Sequence, residues 1–389
     1  MNQNFLRRAE RGFSLVEMMI AMTIGLMICA GLVTIFANTS NTQQELRRTA
    51  QQIENGRYAM DVLSQDLQVT GYFGSFRKIV APASAPDPCS LTVGVSAGDI
   101  KDGINLPVQA YNAASLSAWP SLPASCAAYL PTSNLAVGSD IIVIRRSDTT
   151  FVAKNGATTS GMVYSQANPS MIDIHVGNGT AFDCTNRADG AAASVTRRLQ
   201  YPAATDICNP TAAPAGYLRQ YHVHIYFVAP CNNPSTGTLC DLAADGGKPI
   251  PTLKRLELTA TGGVAAFKVV NIAEGVEYLK LGYGIDDTPT TVNGDTGLVG
   301  DGSPDRYSLA PSVADTSNIV TARVDMLVRN PEPSASFTDT KTYALGVDPT
   351  VNTNPAVTIP PSSLDSTYRR HVYSAEIRLV NLSSRKEIP

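Results

Sequence analysis

A single carboxylate, Glu17, lies within a long apolar segment near the N-terminus. Residues 13–37 (FSLVEMMIAMTIGLMICAGLVTIFA) contain no other charged side chain. A carboxylate within an apolar helix is costly and needs a partner. Phe13 and Glu17 are four residues apart, so they would share one face of a helix. The simpler alternative is a glutamate near a bilayer surface, stabilised only by the dipole at the N-terminus of its helix.

Six of the seven cysteines lie between residues 89 and 240, and the seventh, Cys29, lies in the apolar segment. An even number of cysteines in an exported segment predicts up to three disulfides, whose connectivity the sequence leaves open. Neither a redox pair nor a zinc site is favoured, because there is no C-x-x-C and the spacings are wide. We expect neighbours in the sequence to pair: Cys89 with Cys126, Cys184 with Cys208, and Cys231 with Cys240.

Other candidate ligands are sparse, and no cofactor or metal is expected. His222 and His224 would share one face of a strand, but two ligands without a third favour a solvated or lightly packed face. Asp301, Ser303 and Asp305 offer oxygens at calcium-loop spacing within residues 284–307 (GIDDTPTTVNGDTGLVGDGSPDRY), although the EF-hand pattern then fails. A long turn is the better interpretation. Nucleophile-elbow, zinc-protease and phosphate-loop motifs are missing from the sequence, so an enzyme is not predicted.

A basic leader precedes the apolar segment. Residues 1–12 carry three arginines and one glutamate. As a helix, residues 13–37 would reach roughly 37 Å, enough to cross a bilayer. Basic residues on the N-terminal side favour a cytoplasmic N-terminus and export of the rest. A cleaved secretory signal fits poorly, because the apolar run is too long and Ile35-Phe36-Ala37 is a poor cleavage site.

The helix is predicted to continue beyond the membrane as an amphipathic half, residues 38–70. The whole helix, membrane half included, would contain about 55 residues, because no proline interrupts it. Gly71 is the predicted stop. Charged residues, Asp66 among them, flank an apolar stripe at helical spacing that would pack on a globular head. The predicted stripe is Leu46, Ala50, Ile53, Met60, Leu63 and Leu67.

From residue 71 onward, period-2 apolar runs separated by Pro, Gly, Asn and Asp predict strands. Residues 319–329 alternate most clearly. We therefore predict an α+β fold in which the long N-terminal helix packs on a large antiparallel sheet with disulfide-stapled loops. The head divides into a Cys-rich part, residues 71–250, and a Cys-free part, residues 251–389. The net charge of −3 provides no basic field for nucleic acid.

The string Gly12-Phe13-Ser14-Leu15-Val16-Glu17, after a basic leader, resembles the type III signal of type IV pilins and type II secretion pseudopilins. The resemblance implies that a prepilin peptidase cuts after Gly12 and that Phe13 is then N-methylated. The apolar helix is retained. It also implies that Glu17 pairs with the N-terminal amine of a neighbouring subunit during assembly.

The predicted head resembles one family in particular among the proteins that carry this signal. Its layout and three segments, residues 276–279, 319–329 and 368–372, look like the PilW family of minor pilins. This implies a bacterial inner-membrane protein with a periplasmic head that primes type IV pilus assembly at or near the tip. Twitching motility and adhesion would follow. The implied partners are the prepilin peptidase, other minor pilins, the major pilin and a tip adhesin.

Two other functions stay open. A minor pseudopilin of a type II secretion system shares the signal and the membrane helix, but the heads of the similar J-type pseudopilins are usually much smaller. A membrane-anchored periplasmic enzyme or binding protein would need neither the cut after Gly12 nor Glu17.

Overall fold

The chain divides into two compact units, residues 1–50 and residues 51–389, and each is described by itself. The computed structural model describes residues 14–76, 82–93, 100–152, 158–167, 172–177, 179, 218–232, 234–236, 239–240, 249–287, 301–334, 337–346 and 357–384.

A helix of 54 residues, α1 (Leu15–Gln68), runs from the first unit into the second. By length and composition it is able to cross a membrane. It ends three residues before Gly71, which adopts φ +74° and donates its N–H to the Arg145 carbonyl at 3.0 Å. A side chain would be strained in that conformation, so glycine permits the chain to leave the helix there. The predicted long helix and its stop are confirmed.

Beyond α1 the second unit consists mainly of strands. In chain order they are β1 (Val108–Tyr111), β2 (Ile141–Ser147), β3 (Val163–Ala167), β4 (Ile172–Val176), β5 (Leu218–Ala229), β6 (Pro234–Thr236), β7 (Leu239–Cys240), β8 (Thr252–Thr261), β9 (Val264–Glu274), β10 (Val276–Ile285), β11 (Arg306–Ser308), β12 (Ile319–Arg329), β13 (Tyr343–Leu345), β14 (Val357–Ile359) and β15 (Arg370–Arg378). A short helix, α2 (Val380–Ser383), follows β15.

The first sheet is antiparallel and is organised around β5. One edge of β5 pairs with β2, which pairs with β1. The other edge is shared, because residues 218–220 pair with β3 and residues 224–229 pair with β8. Strand β4 pairs with β3, and β9 pairs with β8. Strands that precede and strands that follow residue 250 in the sequence therefore build this sheet together. The division of the head into two parts at residue 250 remains a proposal.

The second sheet is antiparallel, with strand order β11-β10-β12-β15. One of its two inner strands, β12, has the bounds that the sequence pattern indicates, but its polar side chains are not all solvated. Asp325 is buried and accepts the N–H of Gly346 at 2.8 Å. A small cluster around the β13–β14 hairpin covers that face: Leu327, Tyr343, Leu345 and Ile359. Antiparallel sheets, the long helix and two disulfides confirm the predicted α+β pilin-like fold.

The buried face of the helix is rotated from the predicted stripe. Leu46 and Ile53, predicted to be covered, are 65% and 45% exposed. The buried residues of α1 are Gln52, Gly56, Ala59, Leu63, Asp66 and Leu67. Polar residues occupy this face because the sheets supply their partners. Gln52, for example, donates to the Val328 carbonyl at 2.6 Å. The main core joins this face to both sheets.

Gly56, which in isolation would be a weak point of the helix, is the place where Tyr373 of β15 approaches it most closely. A Cβ at position 56 would lie 2.3–2.8 Å from ring carbons of Tyr373. The hydroxyl oxygen of Tyr373 is buried, so a shift of the ring must also move this buried oxygen. Glycine at this position therefore permits close packing of the helix on the second sheet.

We expect Gly56→Ala to destabilise the protein although alanine is the better helix former. Helix propensity alone would favour alanine by about 1 kcal/mol, whereas overpacking typically costs about 1–3 kcal/mol. Thermal unfolding of the purified full-length protein in detergent should show a lower melting temperature for the variant. The control is Gly31→Ala, where nothing lies within 4 Å of the added carbon. Equal stability of the two variants would show that Tyr373 yields without cost.

Candidate functional site

The N-terminal end of α1 is capped by its own glutamate. Ser14 precedes the first helical residue, and its backbone N–H donates to Glu17 Oε2 at 3.0 Å, as a residue at this helix position does in a capping box. The Met18 N–H closes the first turn on the Ser14 carbonyl at 3.1 Å. Glu17 is exposed, so its carboxylate is accessible to a second partner. Gly12 and Phe13 lie outside the described residues, and their processing remains a prediction.

The apolar half of α1 is uncovered in the isolated chain. Each of its large apolar side chains is between 53% and 77% exposed: Leu15, Val16, Met18, Met19, Ile20, Met22, Ile24, Leu26, Met27, Ile28, Leu32, Val33, Ile35 and Phe36. A continuous apolar surface of this kind is not stable in water and marks a membrane or protein interaction site. Together with Glu17 it forms the candidate assembly site.

At the other end of α1, a buried polar cluster fastens the helix to the first sheet. Asp66 is 4% exposed. Its carboxylate contacts His224 Nδ1 at 2.5 Å, Arg146 Nε at 2.7 Å and the Tyr226 hydroxyl at 2.9 Å. Arg255 Nη1 donates to the Tyr226 hydroxyl at 3.0 Å. We call these five residues the Asp66 cluster.

The charge of Asp66 is held by its neighbours. Burial alone would raise the pKa of this carboxyl, but His224 and Arg146 hold the pKa well below its usual value. Sequence reasoning placed Asp66 on the flanking, solvated side of the helix, and this was wrong. Its spacing of three residues from Leu63 placed it close to the buried face, and that spacing was the available signal.

Of the two histidines of β5, His224 is not on a solvated or lightly packed face as predicted, whereas His222 is half-buried. His224 is 5% exposed and belongs to the Asp66 cluster, and the ring of His222 lies 5.2 Å from it, between centroids. Burial, with help from Arg146 and His224, lowers the pKa of His222 to about 3, while Asp66 and Asp148 oppose this shift. His222 is therefore held neutral in the folded protein.

The stability of the protein should consequently fall on mild acidification. The His222 pKa is depressed from 6.5 to about 3, so the unfolded chain binds more protons between these values. The contribution of His222 to stability is complete well above pH 6.5 and decreases as the pH falls, by about 1.4 kcal/mol at pH 5.5. Urea titrations between pH 7.5 and 5.5 should show this loss, and His222→Gln should reduce it. His371→Gln, at an exposed position, is the control. An unchanged pH slope in the His222 variant would exclude this histidine as the cause.

A second buried cluster joins two of the segments on which the family resemblance rests. Arg370 of β15 donates from Nε to Glu277 Oε2 at 2.5 Å and from Nη2 to Glu277 Oε1 at 3.1 Å. Its Nη1 also contacts Asp339 at 3.2 Å. The arginine side chain has no exposed surface. A bidentate ion pair across the second sheet thus connects the segments 276–279 and 368–372.

The structure forms two of the three expected disulfides within the described residues. Cys89 bonds to Cys126, and Cys231 bonds to Cys240. Cys184 and Cys208 lie outside the described residues, so their pairing remains a prediction. Cys29, in the apolar half of α1, is a free thiol.

Among the described residues, Asp87 lies with Cys89 and Cys126 in an arrangement that could hold a metal ion, but the two cysteines are already bonded to each other. In the segment with calcium-loop spacing, which the sequence favours as a long turn, the Asp301 carboxylate accepts the Ser303 N–H at 2.8 Å, as in a tight turn. Asp305 accepts the Asp287 N–H at 2.8 Å. Residues 288–300 of that loop lie outside the described residues.

Comparison with protein families agrees with this geometry. Residues 7–33 match the prokaryotic N-terminal methylation motif, and residues 235–381 match PilW, the type IV pilus-assembly protein W. No match to a curated protein or to a solved structure was found. The first match covers Gly12, Phe13 and Glu17, and the second covers the second sheet with its Glu277–Arg370 ion pair. The match to the methylation motif at the N-terminus and the match to PilW in the head together support a type IV pilus-associated minor pilin.

Proposed function

We propose that this chain, as a type IV pilus-associated minor pilin, primes assembly of the pilus and then sits at or near its tip. The observation that carries the proposal is the methylation motif on residues 7–33, followed by a helix whose apolar half is uncovered. The apolar surface of such a helix is first buried in a bilayer and is then covered by neighbouring helices in a filament. A prepilin signal implies processing by a peptidase and assembly with other pilins.

In this proposal a prepilin peptidase cuts after Gly12 and Phe13 is N-methylated. The new amine of Phe13 and the carboxylate of Glu17 have opposite charges, so subunits can pair through them in an apolar surrounding. Glu17 then exchanges its bond with the Ser14 N–H for the amine of a neighbour. Because the family to which the head is similar builds filaments, we assign no catalytic role to the chain.

The apolar helix and the prepilin signal are consistent with a single-pass anchor in the inner membrane. We place the head in the periplasm, where disulfides such as Cys89–Cys126 form and persist. Other minor pilins, the major pilin and a tip adhesin are the proposed partners. Twitching motility and surface adhesion are the expected consequences of assembly.

Deletion of the gene tests the priming role directly. The expected result is a loss of surface pili, counted by electron microscopy and restored by the wild-type gene. Unchanged piliation would refute priming. Intact pili with a defect in protein secretion would instead indicate a pseudopilin of a type II secretion system, which shares the methylation motif.

A further inference from the structure

A lysine and an aspartate form an ion pair in the interior of the head. Lys280 Nζ lies 2.8 Å from Asp140 Oδ1, and the two residues are 2% and 1% exposed. Asp140 directly precedes β2 of the first sheet, and Lys280 lies on β10 of the second sheet. The pair therefore connects the two sheets through residues that are 140 positions apart in the sequence.

The backbone around the pair holds both side chains in place. The Asp140 N–H donates to the Leu279 carbonyl at 2.8 Å, and the Leu279 N–H donates to Ser139 Oγ at 3.0 Å. Lys280 Nζ also donates to the Ala113 carbonyl at 3.1 Å. These contacts keep the amine and the carboxyl beside each other, and fixed proximity of this kind greatly raises the rate of a reaction between two groups.

The two oxygens of the Asp140 carboxyl have different neighbours. Besides Lys280, Oδ1 accepts the Ala113 N–H at 2.9 Å and an N–H of the Asn112 side chain at 3.3 Å. Oδ2 accepts the Leu281 N–H at 3.0 Å. Burial raises the pKa of Asp140, although Lys280 and the backbone N–H groups of Ala113 and Leu281 oppose the shift. An amine displaces an oxygen of a carboxyl as water only from the protonated acid, so burial favours the reactive form.

The lysine makes this pair chemically different from the ion pairs of Asp66 and Glu277. Those carboxylates pair with Arg146 and Arg370, whose guanidinium groups stay protonated and are not nucleophiles. An ammonium group that passes one proton to its partner becomes an amine, which is a nucleophile. Two charges are costly to bury, and this proton transfer removes both of them.

We propose that Lys280 and Asp140 condense into an intramolecular isopeptide bond, which joins the two sheets of the head covalently. The inference goes beyond the proposed function and does not depend on it. A cross-link at this position would hold the first sheet on the second even when both disulfides are reduced. It would also restrict the unfolded chain, as a disulfide between residues far apart in the sequence does.

The condensation is balanced within the pair and needs no other reactant. Lys280 first passes one proton to Asp140 Oδ1. The lone pair of Nζ then attacks Cγ, so that a C–N bond forms, the bond from Cγ to Oδ1 breaks, and Oδ1 leaves as water with a second proton from Nζ. Oδ2 becomes the amide oxygen, and the Leu281 N–H stabilises the negative charge that develops on it during the attack. The amide keeps one N–H, for which the Ala113 carbonyl is the acceptor.

Peptide mass spectrometry of the full-length protein, purified in detergent, tests this proposal. After the disulfides are reduced and alkylated, trypsin should release residues 102–145 joined to residues 269–306, with the chain uncut after Lys280. The mass of this branched peptide should be lower by one water molecule than the sum of its two parts. Lys280→Met should abolish the branched peptide. Lys268→Met, at an exposed position of β9, is the matched control and should retain the bond.

The wild-type protein is decisive even if the Lys280 variant does not fold. Recovery of residues 102–145 as a free peptide of unmodified mass, with cleavage after Lys280, would overturn the proposal. A loss of water confined to one unbranched peptide would also overturn it, because an aspartate before a glycine, such as Asp102, can lose water by itself. Neither result bears on the proposed function, since both residues lie outside the candidate assembly site.

Discussion

Glu17→Gln should yield a subunit that is cut and methylated normally but no longer enters filaments. Glutamine retains an oxygen that can accept the Ser14 N–H, so the cap of the helix survives. Only the negative charge is lost, and with it the proposed pairing to the amine of a neighbouring Phe13. In an apolar surrounding the orphaned amine would then be costly to bury. We expect incorporation into sheared pili to fall by at least about tenfold.

The controls separate the charge of Glu17 from other effects. Glu17→Ala removes both the charge and the cap, so a defect larger than that of Glu17→Gln would measure the cap. Glu54→Ala changes an exposed glutamate of the same helix outside the apolar segment and should be incorporated normally. Immunoblots of sheared pili against membrane fractions give the measurement. Normal incorporation of the glutamine variant would mean that Glu17 serves only its own helix.

The largest loss of stability should come from Asp66→Ala. Removing one member of a buried ion pair leaves its partners charged or unsatisfied, which typically costs about 3–5 kcal/mol. Here the stranded groups are His224, Arg146 and the Tyr226 hydroxyl, all fastened to the first sheet. Urea unfolding of the full-length protein in detergent measures the loss. Asp61→Ala, an exposed position on the same helix, should change stability by about 0.5 kcal/mol or less.

The role of Asp66 also has a pH signature. Its pKa is depressed in the folded state, so its contribution is present above the ordinary carboxyl pKa of 3.8 and is lost as the pH falls below it. The acid-induced loss below pH 4 should therefore be smaller in Asp66→Ala than in the wild type. Equal costs for Asp66→Ala and Asp61→Ala would contradict the importance of the Asp66 cluster.

Local rules were sufficient for two elements of this fold, α1 and β12. A proline-free run closed by glycine marked α1, and period-2 alternation marked β12 at the bounds that the structure has. The methylation motif was readable because its residues act through their order in the chain. Each of these features depends on neighbours in sequence, which is why one sequence sufficed.

Features that depend on distant partners were not predictable. The helix buries Gln52 and Asp66 because the second sheet offers the Val328 carbonyl and the first sheet offers His224. The periodicity of apolar residues does not reveal such pairings, so the predicted stripe was rotated relative to the buried face of the helix. Helix propensity alone makes Gly56 a weak point of the helix, because the approach of Tyr373 from β15 is invisible in the local sequence.

The identity and methylation of the N-terminal residue decide whether this chain is processed as a pilin. Intact-mass and N-terminal peptide mass spectrometry of the protein from its native membrane should find a chain that begins at N-methylated Phe13. This result would establish that the helix is retained and that its amine is available to pair with Glu17. A chain that still begins at Met1, or one cut after Ala37, would contradict the assignment to the pilins and the assembly role built on it.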